Sequence, residues 1–131
     1  MVNKLDKILA EISAGELIDK ITILEIKRVQ IKDVNKLKDV EKEFSSLNET
    51  LKESIPDQSK ILLLVDKLKS INQKLWDIEN KKRLAEKNND FSKNFIELAR
   101  SVYRTNDERS KVKLEINNIL GSNIKEVKSH Y

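Results

Sequence analysis

Glycine and proline are almost missing from this chain. Gly15, Gly121 and Pro56 are the only such residues among 131, too few for the tight turns that sandwiches, barrels and doubly wound sheets require. Phosphate loops of the P-loop or dinucleotide type are excluded for a related reason, because their close backbone approach needs clustered glycine. What such a chain can build is long helices, and its length suits one domain spanning 1–131.

Apolar residues recur at three- and four-residue spacing and predict four amphipathic helices, at about 14–31, 34–53, 58–87 and 92–120. Ser13-Ala14-Gly15-Glu16 reads as a capping box, in which the serine accepts from the backbone and Glu16 reaches back. Leu17, Ile18, Ile21, Leu24 and Ile31 then mark the buried face of the first helix. The second continues through Leu37, Val40, Phe44, Leu47 and Leu51. Whether Asp33 caps it separately, or the two form one bent rod, the pattern leaves open. Ser54-Ile55-Pro56-Asp57 is the clearest break. A third helix follows through Ile61, Val65, Leu68, Ile71, Leu75 and Ile78, with Trp76 expected as a core anchor, and Asn88-Asn89-Asp90 ends it. The fourth uses Phe95, Leu98, Ala99, Val102, Ile116 and Leu120, with Gly121 just past its end. Residues 122–131 read as an irregular tail, with His130 and Tyr131 at a disordered chain end. The expected fold is an all-α antiparallel bundle. Self-association into a homo-oligomer is also expected, although the stripe does not keep a strict coiled-coil heptad.

Charge and composition narrow the chemistry. The net charge of +4, from 26 basic and 22 acidic residues, is mild, and the two signs are interleaved. That argues against a nucleic-acid partner, which calls for a segregated basic patch. The absence of Cys removes disulfides, thiolate zinc sites and thiol catalysis. A single histidine, His130, leaves neither a Ser-His-Asp triad nor a multi-His metal site, so no metal and no cofactor is expected. The longest apolar run, Ile61 to Val65, falls far short of the ~20 residues that span a bilayer. With no signal segment in the first residues, the expected compartment is the cytoplasm.

The informative positions are polar residues standing where apolar ones belong. Glu25 and Arg28 point into the stripe of the first helix, and Asn72, Glu79 and Arg83 into that of the third. On the fourth, Asn106, Arg109 and Lys113 occupy three successive inward positions, with Tyr103 beside them. Burying unpaired charge costs several kcal/mol against a total stability of about 5–15 kcal/mol. The cluster is therefore paired, wet or waiting for a ligand. Glu25 and Glu79 neutralise two of the four cations on paper, leaving two positive charges and several neutral donors. That surplus suits a carboxylate or phosphate. Only five of the 26 basic residues are Arg, and Arg28, Arg83 and Arg109 lie on inward stripes, where the guanidinium fork has a use that Lys cannot copy. Asp19, Lys20 and Lys27 fall on the opposite side of the first helix and read as a solvated face. The expected function is binding of an anionic small molecule (a sugar nucleotide, phosphate or carboxylate) in a cleft between the first, third and fourth helices. The competing reading is a structural or protein-interaction module whose charged stripe takes no ligand.

Three segments carry a resemblance: Gly15-Glu16-Leu17-Ile18-Asp19-Lys20-Ile21-Thr22-Ile23-Leu24-Glu25-Ile26-Lys27; Leu98-Ala99-Arg100-Ser101-Val102-Tyr103 running into Asn106-Asp107-Glu108-Arg109; and Gly121-Ser122 followed by Glu126, Lys128, Ser129 and Tyr131. Together they resemble an uncharacterised bacterial family known only as a domain of unknown function. His130 departs from that family's tail pattern. Members stand near, or fused to, glycosyltransferase-type and tetratricopeptide proteins, so the resemblance implies a link to surface-polysaccharide assembly and no particular mechanism. A looser similarity is to all-helical chorismate mutases, whose cationic cleft holds a dicarboxylate. Ile18-Asp19-Lys20-Ile21 through Lys27-Arg28, with Arg109 and Lys113, fits that pattern, but the later helix spacing departs from it and the late Gln is lacking. That similarity would imply electrostatic catalysis of a pericyclic reaction. Whether the chain is an enzyme stays open at this stage.

Overall fold

The computed structural model describes residues 4–130, and among these every regular element is helical. Helix α1 covers Ala14–Gln30, α2 Val34–Ser54, α3 Leu62–Lys87 and α4 Lys93–Leu120, with one 3₁₀ turn at Ser59–Ile61 leading into α3. The all-α bundle expected from the apolar spacing is what forms, and each boundary lies close to its local signal.

The stop signals explain themselves chemically. Ser13 caps α1, its Oγ accepting from Glu16 N at 3.1 Å. The other half of the capping box is not made, because the Glu16 carboxylate turns to a lysine of α4. Ile31 breaks into extended geometry, and Asp33 Oδ1 accepts from Asn35 N and Lys36 N at 2.9 and 3.1 Å. Helices α1 and α2 are thus separately capped rather than one bent rod. Pro56 sits in the α2–α3 connection. At the α3–α4 corner Asn89 takes a left-handed φ of 54°. Gly121 ends α4 at φ 65°, a conformation that costs glycine nothing.

Helix α1 is the centre of the architecture. It touches α2, α3 and α4, whereas α2 meets no other helix closely, and α3 and α4 pair as a long hairpin. The core joins Leu17, Ile18 and Ile21 of α1 to Leu51, Ile61, Leu68, Ile71, Val112 and Ile116. A helix enclosed on three sides buries far more than one stripe. In α1 the second buried line reads Gly15, Asp19, Thr22 and Ile26. Asp19 is therefore not on a solvated face as its wheel position suggests; α4 covers that side. Trp76 is another correction. It is only half-buried and lies outside the core cluster.

On α4 the buried line runs through Thr105, Val112 and Ile116, with Arg109 between them. Asn106 and Lys113 lie on its flank, about 60–80° round from Ile116 at 100° per residue. Ala99, expected inward, is exposed. Residues 122–130 form neither helix nor strand, yet they are tied down. Ser122 Oγ accepts from Ala14 N at 3.0 Å, Ser13 Oγ donates to Glu126 at 2.6 Å, and Lys128 meets Asp107 at 2.9 Å. Tyr131 lies outside the described residues.

Candidate functional site

The seam between the first turns of α1 and the last turns of α4 begins with a backbone contact. A Cβ on Gly15 would stand 2.5 Å from the Lys113 carbonyl oxygen, so only glycine lets the helices approach this closely. Its N–H donates to Asn117 Oδ1 at 2.6 Å, which satisfies one of the free donors of the helix start.

One turn further along, polar side chains fill the seam. Glu16 accepts from Lys113 Nζ, and Lys20 stands 3.6 Å away. Asp19, fully buried, takes both prongs of the Arg109 guanidinium: Nε donates to Oδ1 at 2.9 Å and Nη2 donates to Oδ2. Asn72 Nδ2, from α3, donates to Asp19 Oδ1 at 2.8 Å and to Thr22 Oγ1 at 2.9 Å. The threonine hydroxyl donates in turn to the Asp19 carbonyl at 2.8 Å. Lys113 Nζ lies 3.9 Å from Asp19 Oδ2. Asp19 thereby joins α1, α3 and α4 in one network, and among the described residues no buried side-chain polar atom lacks a partner. A buried carboxylate is tolerated only on such terms. The hydrogen bonds that Arg109 donates to Asp19, opposed by burial, raise the guanidinium pKa above its ordinary value, and Arg109 stays charged.

Tyr103, Asn106, Arg109 and Lys113 line a cleft of about 680 Å³ on the outer side of this network. Val102, Asp107 and Ser110 complete the α4 wall, and Lys128 and His130 of the C-terminal segment form the other. Arg109 Nη1 reaches only Asn106 Oδ1, at 3.4 Å, so the outer edge of the guanidinium is lightly used. Asp19 and Glu16, which neutralise Arg109 and Lys113, do not line the cleft.

The remaining sequence candidates are elsewhere. Glu25 and Arg28 line a separate cleft of about 420 Å³ with Lys69 and Glu41. Arg28 Nε donates to Glu41 at 2.7 Å, with its guanidinium 4.2 Å from the centre of the Phe44 ring, while Glu25 accepts from Lys69 at 2.7 Å. Arg28 therefore does not join Arg109 and Lys113 as the chorismate-mutase similarity would require. Glu79 pairs with Lys82 at 3.3 Å and with Arg83 at 3.8 Å along α3, and the Arg83 side chain is 80% exposed. Asn72 faces the buried network rather than the cleft. The expected surplus of two positive charges is not present either. Acids that the sequence accounting left out, Glu16, Asp19 and Glu41, take up the cations.

Sequence reasoning also passes over Lys128, read only as part of an irregular tail, and His130, which a chain-end reading treats as disorder. For Asp19 a signal existed: glycine in the first turn of a helix marks a close approach, and the face it marks contains Asp19 one turn on.

Glu16 and Asp19 of the first resembling segment, Asn106 and Arg109 of the second, and Ser122 and Glu126 of the third lie along this seam. A model of a family of unknown function, DUF6165, matches residues 8–131. The chain belongs to that family. The DUF6165 match takes in all of α1 to α4, and with them both the buried network and the cleft wall. No curated protein and no solved structure matches the chain.

Proposed function

We propose that the cleft between α4 and residues 122–130 binds a small anionic metabolite through its phosphate or carboxylate. One observation carries the reading. The wall presents Arg109, Lys113, Lys128 and His130 with Asp107 as its one acid, while the carboxylates that balance the first two stand behind them. Anions are recognised by donors held in place beforehand, and here Asp19 and Glu16 fix the donors. The half-exposed Tyr103 ring offers a flat wall for a sugar or base, and the cleft volume falls within the usual range for metabolite sites. The link to surface-polysaccharide assembly that the resemblance implies makes sugar nucleotides the first ligands to try.

The test is calorimetry and thermal shift with phosphate, sulfate, a dicarboxylate and a nucleotide-sugar set. Lys128→Gln is the variant, because Lys128 lies outside the buried network. One or more anions should raise the melting temperature, and the variant should weaken binding about tenfold, the worth of one charge-assisted contact. No response from any anion overturns the reading. A second reading, a ligand-free scaffold, draws on the complete pairing of the buried cations. Under it Arg109→Ala unfolds the protein and no anion changes its melting.

A further inference from the structure

The anion cleft does not end at its cations. It continues into a groove of about 560 Å³ between α4 and the C-terminal segment, and Asp107, Ser110, Lys113, Lys128 and His130 line both. The two ends differ in chemistry. Past the shared residues the cleft holds Tyr103, Asn106 and Arg109, whereas the groove holds Leu114, Val127 and the aliphatic stems of Lys111 and Lys125. Leu114 is 42% and Val127 89% exposed, so the chain leaves both open.

We infer that the ligand of this site carries an aliphatic group next to its phosphate or carboxylate. The anion sits on the cations of the cleft, and the aliphatic part lies along the groove over Leu114 and Val127. This rests on the anion-binding reading and adds the ligand's class to it. Three observations name the occupant. The residues common to both ends include the cations Lys113 and Lys128, so a group bonded to an anion held there lies against the groove. Two apolar side chains are too few for a protein partner, whose stable interfaces bury about 1,200 Å² or more, but they suit a short aliphatic chain. Four lysines stand around this strip, at 111, 113, 125 and 128, while its two acids are already engaged. Asp107 meets Lys128 at 2.9 Å and Glu126 accepts from Ser13 at 2.6 Å. A basic rim favours an anionic amphiphile over an uncharged one.

The test is calorimetry with inorganic phosphate and with ethyl, butyl and hexyl phosphate, all as dissolved monomers. Each methylene half-covered by the groove gains about twofold, so hexyl phosphate should bind about tenfold tighter than ethyl phosphate. Leu114→Gln and Val127→Gln should each flatten that series and leave inorganic phosphate, which reaches neither side chain, unchanged. The second variant lies on a segment without regular structure, so it tests the groove without touching a helix. Lys128→Gln should weaken every member alike. Equal affinity along the series in the parent protein overturns this inference and leaves the anion reading standing. So does a chain-length gain that persists in both groove variants, because the aliphatic group is then held elsewhere. No binding by any member overturns both.

Discussion

At the residue scale, two positions in the first turns of α1 decide how the helices meet. Gly15 is a poor helix former, and Ala in its place would ordinarily gain about 0.5–1 kcal/mol. Here the added Cβ meets the backbone oxygen of Lys113 at 2.5 Å, an atom that cannot swing aside. Gly15→Ala is therefore expected to destabilise by about 1–3 kcal/mol, as overpacked sites do, and urea unfolding reads the sign directly. Asp19→Asn is expected to cost about 3 kcal/mol in the same measurement, since it leaves the half-buried Arg109 without its charge partner. If Asp19→Asn were neutral, the network would be decorative. These residues also mark the limit of legibility. Arg109, Lys113 and Asn106 were visible as breaks in an apolar stripe. Asp19 was not, because a hydrophobic stripe locates only one buried face of a helix, and α1 has two.

At the element scale, caps and breaks were readable because they act within a few residues. Ser13, Asp33, Pro56 and Gly121 each end or begin a helix by chemistry confined to their own turn. Long-range partners were not readable. Glu16 leaves its capping role for Lys113, 97 residues away in sequence. The C-terminal segment shows the same limit: without regular structure, it is placed by single side-chain contacts. One of these titrates. The hydrogen bond from Lys128, opposed by some desolvation and helped by the charges of Lys128, His130 and Lys111, holds Asp107 below its ordinary pKa of 3.8. A lowered carboxylate pKa contributes attachment that is present above pH 3.8 and lost as pH falls through the lower folded value. The Lys128–Asp107 contact should therefore hold from neutral pH down to about 4 and be lost as pH falls further, while the Ser122 and Glu126 ties are independent of it. NMR shifts of Lys128 and Asp107 followed from pH 7 to 2 would show it. Shifts that stay unchanged between about pH 4 and pH 2 would overturn it.

At the scale of the whole molecule, the uneven covering of the α3–α4 hairpin sets an order of opening. Its proximal half is clamped by α1 through the core and the Asp19 network. From Glu86 to Arg104 no residue is buried, and the Phe91–Phe95 edge contact, 5.4 Å between ring centres, is the aromatic pair near the corner. Local stability follows buried contacts, and a segment without them opens at a free energy well below that of global unfolding. Native-state hydrogen exchange should therefore find the amides of residues 96–101 opening at least ~2 kcal/mol more easily than those of residues 112–117. Both stretches lie on the same helix, so intrinsic helix propensity does not explain a difference between them. Asp19→Asn sharpens the test. It should lower protection of residues 112–117 while leaving residues 96–101 unchanged, because the distal stretch takes no support from the network. Equal losses in both stretches would mean that α4 opens as one rod, and that the buried carboxylate stabilises the whole hairpin rather than its root.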